Sequence, residues 1–251
     1  MNILITNDDG WGAKGLLTLI DTMRLLGDVT VVAPDGPRSG QSNAISVLTP
    51  LRLKKVQEEP GLRVYLTNGT PTDCIKLGIF ALFPDAKPDL VVSGINHGDN
   101  GMVNVIYSGT MGAVFEGCAR GIPSIGFSLC DHDPDADFSF FQPHVLRLTK
   151  AILALPQRDC MCWNINCPVG PVKGARLTRH CHGYWDKEYI AYEDPTGKPF
   201  YMLTGHFVNT ELEATDTDQY ANAHGYISVS PTSIDMTDYA WTKSTNTGLE
   251  Y

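Results

Sequence analysis

Two adjacent carboxylates, Asp8 and Asp9, follow a short β-branched run in the string Ile3-Leu4-Ile5-Thr6-Asn7-Asp8-Asp9-Gly10. Neighbouring carboxylates repel, so both stay ionised comfortably only in water or beside a cation. An exposed Asp-Gly turn would meet the first condition, and a bound metal the second. Oxygen-only ligands favour Mg²⁺, Mn²⁺ or Ca²⁺ over zinc. Ser39 and Asn96 could complete such a shell as neutral oxygen donors. Mg²⁺ usually keeps several waters, and one of them is a ready nucleophile.

A second string, Tyr107-Ser108-Gly109-Thr110-Met111-Gly112-Ala113, opens a helix-like stretch. Ser and Thr there can cap free N–H groups, and Gly109 and Gly112 let an anion approach the backbone. Read alone it is an ordinary N-cap; beside the carboxylate pair it becomes a phosphate cradle. No G-x-x-x-x-G-K-[ST] string is present, and both a P-loop NTPase and a classical dinucleotide fold are disfavoured. Ser39 lies in Arg38-Ser39-Gly40-Gln41, which is not the elbow of an acyl-transfer serine. His97 is a candidate general acid, and equally a loop residue without a visible partner. Cys160, Cys162, Cys167 and Cys181 lack paired zinc spacing, and His180 and His182 lack a third ligand in the right context.

Four segments position these residues by repeating one grammar: β-branched run, polar Gly-rich loop, apolar-periodic stretch. The runs are 2–6, 29–32, 89–92 and 123–127, and helical spacing follows over 14–26 and 111–120. Residues 51–56 and 63–66 read as a hairpin or edge excursion, and 71–83 and 140–155 as helices. The fold class expected is α/β: a Rossmann-like, doubly wound, mostly parallel sheet covered on both faces. After residue 160 the character changes. Residues 170–201 fit β-hairpins, 217–223 a short helix and 226–230 a strand. The division expected is an α/β metal- and nucleotide-binding core over 1–160 and a hairpin-rich, oligomerising extension over 161–251. Ligands in such sheets bind outside the carboxyl ends of the strands, where the loops after the first three runs open onto one edge.

Bulk properties restrict the field. At 251 residues the chain can bury a sizeable core without disulfide or metal staples. The formal charge of −9 argues against nucleic acid or an anionic membrane as the main partner. No apolar run reaches the length of a membrane helix, and the first residues lack a basic signal-peptide region. Seven irregularly spaced cysteines read as reduced thiols in a cytoplasmic protein.

The motifs resemble the SurE family, the stationary-phase survival nucleotidases. The resemblance is carried by the first string and by Ala33-Pro34-Asp35 with Ser39-Gly40, then by Asn68-Gly69-Thr70-Pro71-Thr72-Asp73-Cys74. It continues through Asp89-Leu90-Val91-Val92-Ser93-Gly94-Ile95-Asn96-His97-Gly98 and Tyr107-Ser108-Gly109-Thr110, with later echoes at 164–168, 217–218, 221 and 225–229. It implies metal ligation by Asp8, Asp9, Ser39 and Asn96. It also implies hydrolysis of nucleoside 5′-monophosphates with one divalent ion per subunit, Mg²⁺ or Mn²⁺, in the cytoplasm. Broad phosphatase activity on some 3′-nucleotides and short polyphosphate belongs to the same implication, as do homodimers or homotetramers built through exchanged C-terminal segments. The chain departs from the family pattern at Gly36-Pro37, Asn43 and Cys167; the first two bear on phosphate orientation and substrate preference. The mechanism expected is metal-assisted phosphomonoester hydrolysis, with Asp8 also orienting the attacking water. Gly40, Asn43 and the backbone of Ser108, Gly109 and Thr110 would hold phosphate oxygens. The competing reading is a nucleotide-binding regulator without turnover. Its receiver-like version lacks the acceptor Asp and the Lys that it requires.

Overall fold

The structure is a computed structural model and describes residues 1–156 and 162–240. Along the first part of the chain run β1 (Asn2–Thr6), α1 (Lys14–Met23), β2 (Asp28–Pro34), β3 (Leu53–Glu59), β4 (Leu62–Thr67) and α2 (Pro71–Leu82). Then follow β5 (Leu90–His97), α3 (Gly109–Ala119), β6 (Ser124–Leu129), α4 (Gln142–Leu153) and β7 (Cys162–Cys167). The last part holds β8 (Ala175–Leu177), β9 (Gly183–Asp186), β10 (Tyr189–Glu193), β11 (Pro199–Leu203), β12 (His206–Asn209), α5 (Asp218–Ala223) and β13 (Ile227–Thr232).

Nine strands form one sheet in the order β3-β4-β2-β1-β5-β6-β7-β13-β8. Pairing is parallel from β4 through β7, with β3 antiparallel at one edge and β13 antiparallel to β7. The expected doubly wound α/β sheet is what forms. From β1 the chain winds outward through β2 and β4, then returns to lay β5 on the other side of β1. That reversal is a topological switch point, where a crevice opens beyond the strand ends. Burial on both faces explains why β1 is apolar without alternation: Ile3 and Ile5 join the core under α1 and α4, and Leu4 joins the one under α2.

Several boundaries differ from the sequence reading. The helix expected over 14–26 stops at Met23. Gly27 lies so close to the Met1 carbonyl that a β-carbon there would sit 2.0 Å from it, so the chain must turn before entering β2. The strand expected over 89–92 runs on to His97. Pairing with β1 ends at Ser93, and the polar half continues along β6 alone, with a register shift between Ser93 and Asn96. The sheet also continues past residue 161, since β7, β13 and β8 all join it. The hairpins expected over 170–201 form a two-storey arm, β10 pairing with β11 and β9 with β12.

Between β1 and α1 lies Gly10-Trp11-Gly12-Ala13-Lys14-Gly15, which does have the G-x-G-x-x-G spacing. A dinucleotide site is disfavoured here by the neighbours of this turn. Gly10 packs on the Gly36 backbone and Gly15 on the Ile95 carbonyl, while Asp8 and Asp9 bring negative charge to the edge a pyrophosphate would need.

Candidate active site

Asp8 is carried just past the end of β1, into the switch-point crevice, and is only 4% exposed. The exposed-turn reading therefore fails for this residue. Asn7 holds the turn by donating from Nδ2 to the Gly10 carbonyl at 3.0 Å, and Gly10 takes a φ of 91° that favours glycine. Thr110 Oγ1 donates to Asp8 Oδ1 at 2.5 Å, linking positions 102 residues apart. Gly109 is needed beside it: a β-carbon there would lie 2.9 Å from the Asp8 β-carbon and 3.0 Å from Oδ2.

The β5 end reaches the same crevice. The His97 backbone N–H donates to Asp9 Oδ2 at 3.3 Å, so the third loop and the carboxylate pair meet as the sequence reading required. The Asn96 side chain gives Nδ2 to the carbonyls of His97 and Gly98, at 3.0 and 2.9 Å. This fixes the amide so that Oδ1 is the atom left for a ligand. The loop after β2 closes the third side. The Arg38 N–H donates to the Asp8 carbonyl at 2.7 Å, which seats the exposed Ser39 one residue away. The loop is then lashed down: Ser42 bonds the carbonyls of Tyr107 and Ile106, and Asp73 accepts from Ser46. Thr70, the N-cap of α2, donates to the Ala44 carbonyl. A β-carbon at Gly112 would lie 2.2 Å from the Ser42 carbonyl and 3.0 Å from Asn43 Oδ1, so Asn43 rides against the first turn of α3.

Burial pushes the Asp8 carboxyl up to about 6, opposed by the Thr110 hydrogen bond and reinforced by the charge of Asp9. Burial likewise raises Asp9, against the His97 N–H. A buried and a half-buried carboxylate held above their ordinary range, with a fixed amide oxygen and a hydroxyl alongside, are a donor set that a hard cation fits. No trio of His, Cys, Asp or Glu gathers into a metal cluster among the described residues, and this set contains only two such residues, Asp8 and Asp9.

Ser108 is the N-cap of α3, its Oγ accepting from the Met111 N–H at 3.0 Å. The hydroxyls of Ser108 and Thr110 are thus directed at Met111 and Asp8, which leaves the helix start to offer a ligand backbone donors. Gly40 stands exposed in the second loop with a φ of 71°. His97 packs its ring edge-on against Phe138, with centroids 4.7 Å apart. Cys162 and Cys167 face opposite cores, while Cys160 lies outside the described residues. His180 and His182 do not share a strand: His180 bonds Asp218 and His182 is exposed. The sequence reading missed Asn7 as an organiser and Thr110 as the partner of Asp8. The Asn-x-x-Gly spacing signals the first, and no local signal carries the second.

Fold and site together define a doubly wound α/β protein with an acidic, helix-capped ligand site at its switch point. A family model described as Survival protein SurE matches residues 3–187. The chain is 49% identical over 238 residues to the 5′-nucleotidase SurE of Phocaeicola vulgatus, covering 94% of this chain and 92% of that one. It is 45% identical over 245 residues to the 5′-nucleotidase SurE of Bacteroides thetaiotaomicron, covering 97% and 94%. The crystal structure of SurE protein from Aquifex aeolicus matches with a TM-score of 0.83 at 33% identity, over 97% of this chain and 98% of that one. The chain belongs to the SurE family.

Proposed function

We propose that this protein is a 5′-nucleotidase, a divalent-metal-dependent hydrolase that releases phosphate from nucleoside 5′-monophosphates. The observation that carries the reading is the meeting of Asp8, Asp9 and the Asn96–His97 backbone at the switch point, with the start of α3 packed on Asp8. Relatives at 45–49% identity bear the name 5′-nucleotidase SurE, which supports it.

Asp8, Asp9, Ser39 and Asn96 would hold one Mg²⁺ or Mn²⁺ per subunit. A bound cation would supply Lewis-acid polarisation of the phosphoryl group and a more acidic attacking water. Asp8, oriented by Thr110, positions that water opposite the leaving 5′-oxygen. Gly40 and Asn43 from the second loop, with the backbone of Ser108, Gly109 and Thr110, hold the phosphoryl oxygens where negative charge builds. The same phosphate-centred recognition extends the reading to some 3′-nucleotides and short polyphosphate. The 1–160 portion is the catalytic core, and the arm within 161–251 joins subunits into a homodimer or homotetramer. No helix among the described residues is long and apolar enough to cross a membrane, in keeping with the cytoplasmic setting that the reading adopts.

The test is phosphate release from AMP and GMP with Mg²⁺, Mn²⁺ or chelator. Metal-dependent turnover that Asp8→Asn abolishes is the expected result. Tight nucleotide binding with no phosphate released would turn the reading into that of a binder.

A further inference from the structure

Asn164 and Asn166, in the string Asn164-Ile165-Asn166-Cys167-Pro168, take no part in the phosphate chemistry above. Both are buried inside the sheet, 0% and 1% exposed. Successive side chains of a strand point to opposite faces. Trp163, Ile165 and Cys167 therefore enter the core under α1 and α4, while Asn164 and Asn166 share the α3 face with Cys162. Burying two amides costs free energy unless their polar atoms find partners. The partners here are not neighbouring strands but the backbone of a loop.

That loop leaves β5 and passes through Asn100, itself buried. Three hydrogen bonds close a ring around it. The Asn100 N–H donates to Asn166 Oδ1 at 2.7 Å, Asn166 Nδ2 donates to Asn164 Oδ1 at 3.1 Å, and Asn164 Nδ2 donates to the Asn100 carbonyl at 2.7 Å. Each amide uses both its oxygen and its nitrogen, so neither can be replaced by a group that only donates or only accepts. The Asn100 side chain adds a fourth tie, giving Nδ2 to Ser128 Oγ on β6 at 2.8 Å. Two residues on, Asp218 takes the Met102 N–H at 2.7 Å. Met102 has a φ of 53°, a conformation that side chains disfavour, so the loop keeps this path through its anchors rather than by its own preference. The same loop orients a candidate metal ligand. The Asn96 amide is fixed by giving Nδ2 to the carbonyls of His97 and Gly98, and Gly98 stands two residues, at most about 7 Å of chain, from the ring. A shift of the loop at Asn100 would swing those carbonyls and, with them, Asn96 Oδ1.

We propose that Asn164 and Asn166 are positioning residues for Asn96: their ring with the Asn100 backbone fixes the loop whose carbonyls aim the Asn96 oxygen at the cation. The proposal rests on the metal-dependent reading, and the test separates the two. Asn164→Leu and Asn166→Leu keep the side-chain size and remove the ring. Each should weaken Mn²⁺ binding about tenfold, measured by calorimetry with the metal alone, and the double variant should bind little worse than either single one. Ser128→Ala frees only the Asn100 side chain and should cost about threefold, so it carries the test where a ring variant does not fold. Thr178→Val is the control. It breaks another buried pair at the same sheet, Thr178 with Ser230 at 2.8 Å, and should lower the melting temperature while leaving Mn²⁺ affinity within about twofold. Hydrogen exchange over residues 96–102 should quicken in the Asn variants and not in Thr178→Val. Unchanged Mn²⁺ affinity in the Asn variants and Ser128→Ala, an equal loss in Thr178→Val, or unchanged exchange over 96–102 overturns the assignment. If the unaltered protein takes up no Mn²⁺ while exchange over 96–102 still quickens in the Asn variants alone, the loop anchor stands and the metal reading falls.

Discussion

Asp8 shows how a single buried carboxylate couples stability to chemistry. Its ordinary value of 3.8 is pushed up to about 6 in the metal-free protein. Between those two values the folded state keeps a proton that the unfolded chain has released. Stability therefore declines as pH rises from about 4 to about 6 and stays lowered above that. Asp8→Asn removes this dependence. In chelator at pH 8 it should melt several degrees higher than the unaltered protein, a gain on the order of 2 kcal/mol, yet lose at least about a hundredfold in phosphate release. Thermal scans across pH with chelator, and again with Mn²⁺, check both halves; the difference should shrink or reverse once metal is added. Thr110→Val acts in the opposite sense on the proton. Losing the hydroxyl removes an influence that lowers Asp8, so the acidic limb of kcat/KM should move up by about one pH unit and metal affinity should fall. An unchanged pH profile would show that the hydroxyl does not tune this carboxylate.

Helices and strands decide whether such residues meet. The sequence made β1, β2, α2 and the doubly wound order legible, because strands buried on both faces must be uniformly apolar. The continuation of β5 was not legible, since Ser93 and Asn96 look like loop residues until β6 pairs with them. The three loops at one edge were readable from strand order alone; the hold of Thr110 on Asp8 required tertiary packing across 102 residues. Gly112→Ala tests how closely α3 and the second loop must approach. Alanine gains about 1 kcal/mol of helix propensity, but the Ser42 carbonyl lies where its β-carbon would go. The clash wins, because backbone cannot move aside cheaply. We expect a net loss of about 1–3 kcal/mol and a higher KM for nucleotide, read by denaturant titration and steady-state assay. Trp185→Phe tests a longer connection. Trp185, at the base of the arm, donates from Nε1 to Asn104 Oδ1 at 2.8 Å, and the Asn104 carbonyl receives the N–H of Ser108, which caps α3. Loss of that bond should lower kcat/KM about three- to tenfold with little change in melting temperature.

For the assembled protein, the arm is the telling part. Tyr189, Ile190, Tyr192, Phe200, Tyr201, Met202 and Leu203 are all exposed on β10 and β11, an apolar density that isolated hairpins do not sustain. Replacing 188–204 by a short Gly-containing turn should leave the sheet folded and reduce the particle mass measured by light scattering. An unchanged mass would remove the arm from the subunit contact. The chain path at the arm's root makes such an edit tolerable. β8 and β13 are neighbours in the sheet, and everything from residue 180 to 216 is inserted between them. The two strands of chain are pinned where they leave: Arg179 and Thr217 form an isolated bridge, and the Arg179 guanidinium clasps Glu211 at 2.8 Å and Asp216 at 2.9 Å. A clasp of this kind works as a bulkhead. Lengthening, trimming or exchanging what hangs beyond it need not be felt by the strands behind, so the arm and the reaction chamber can change independently.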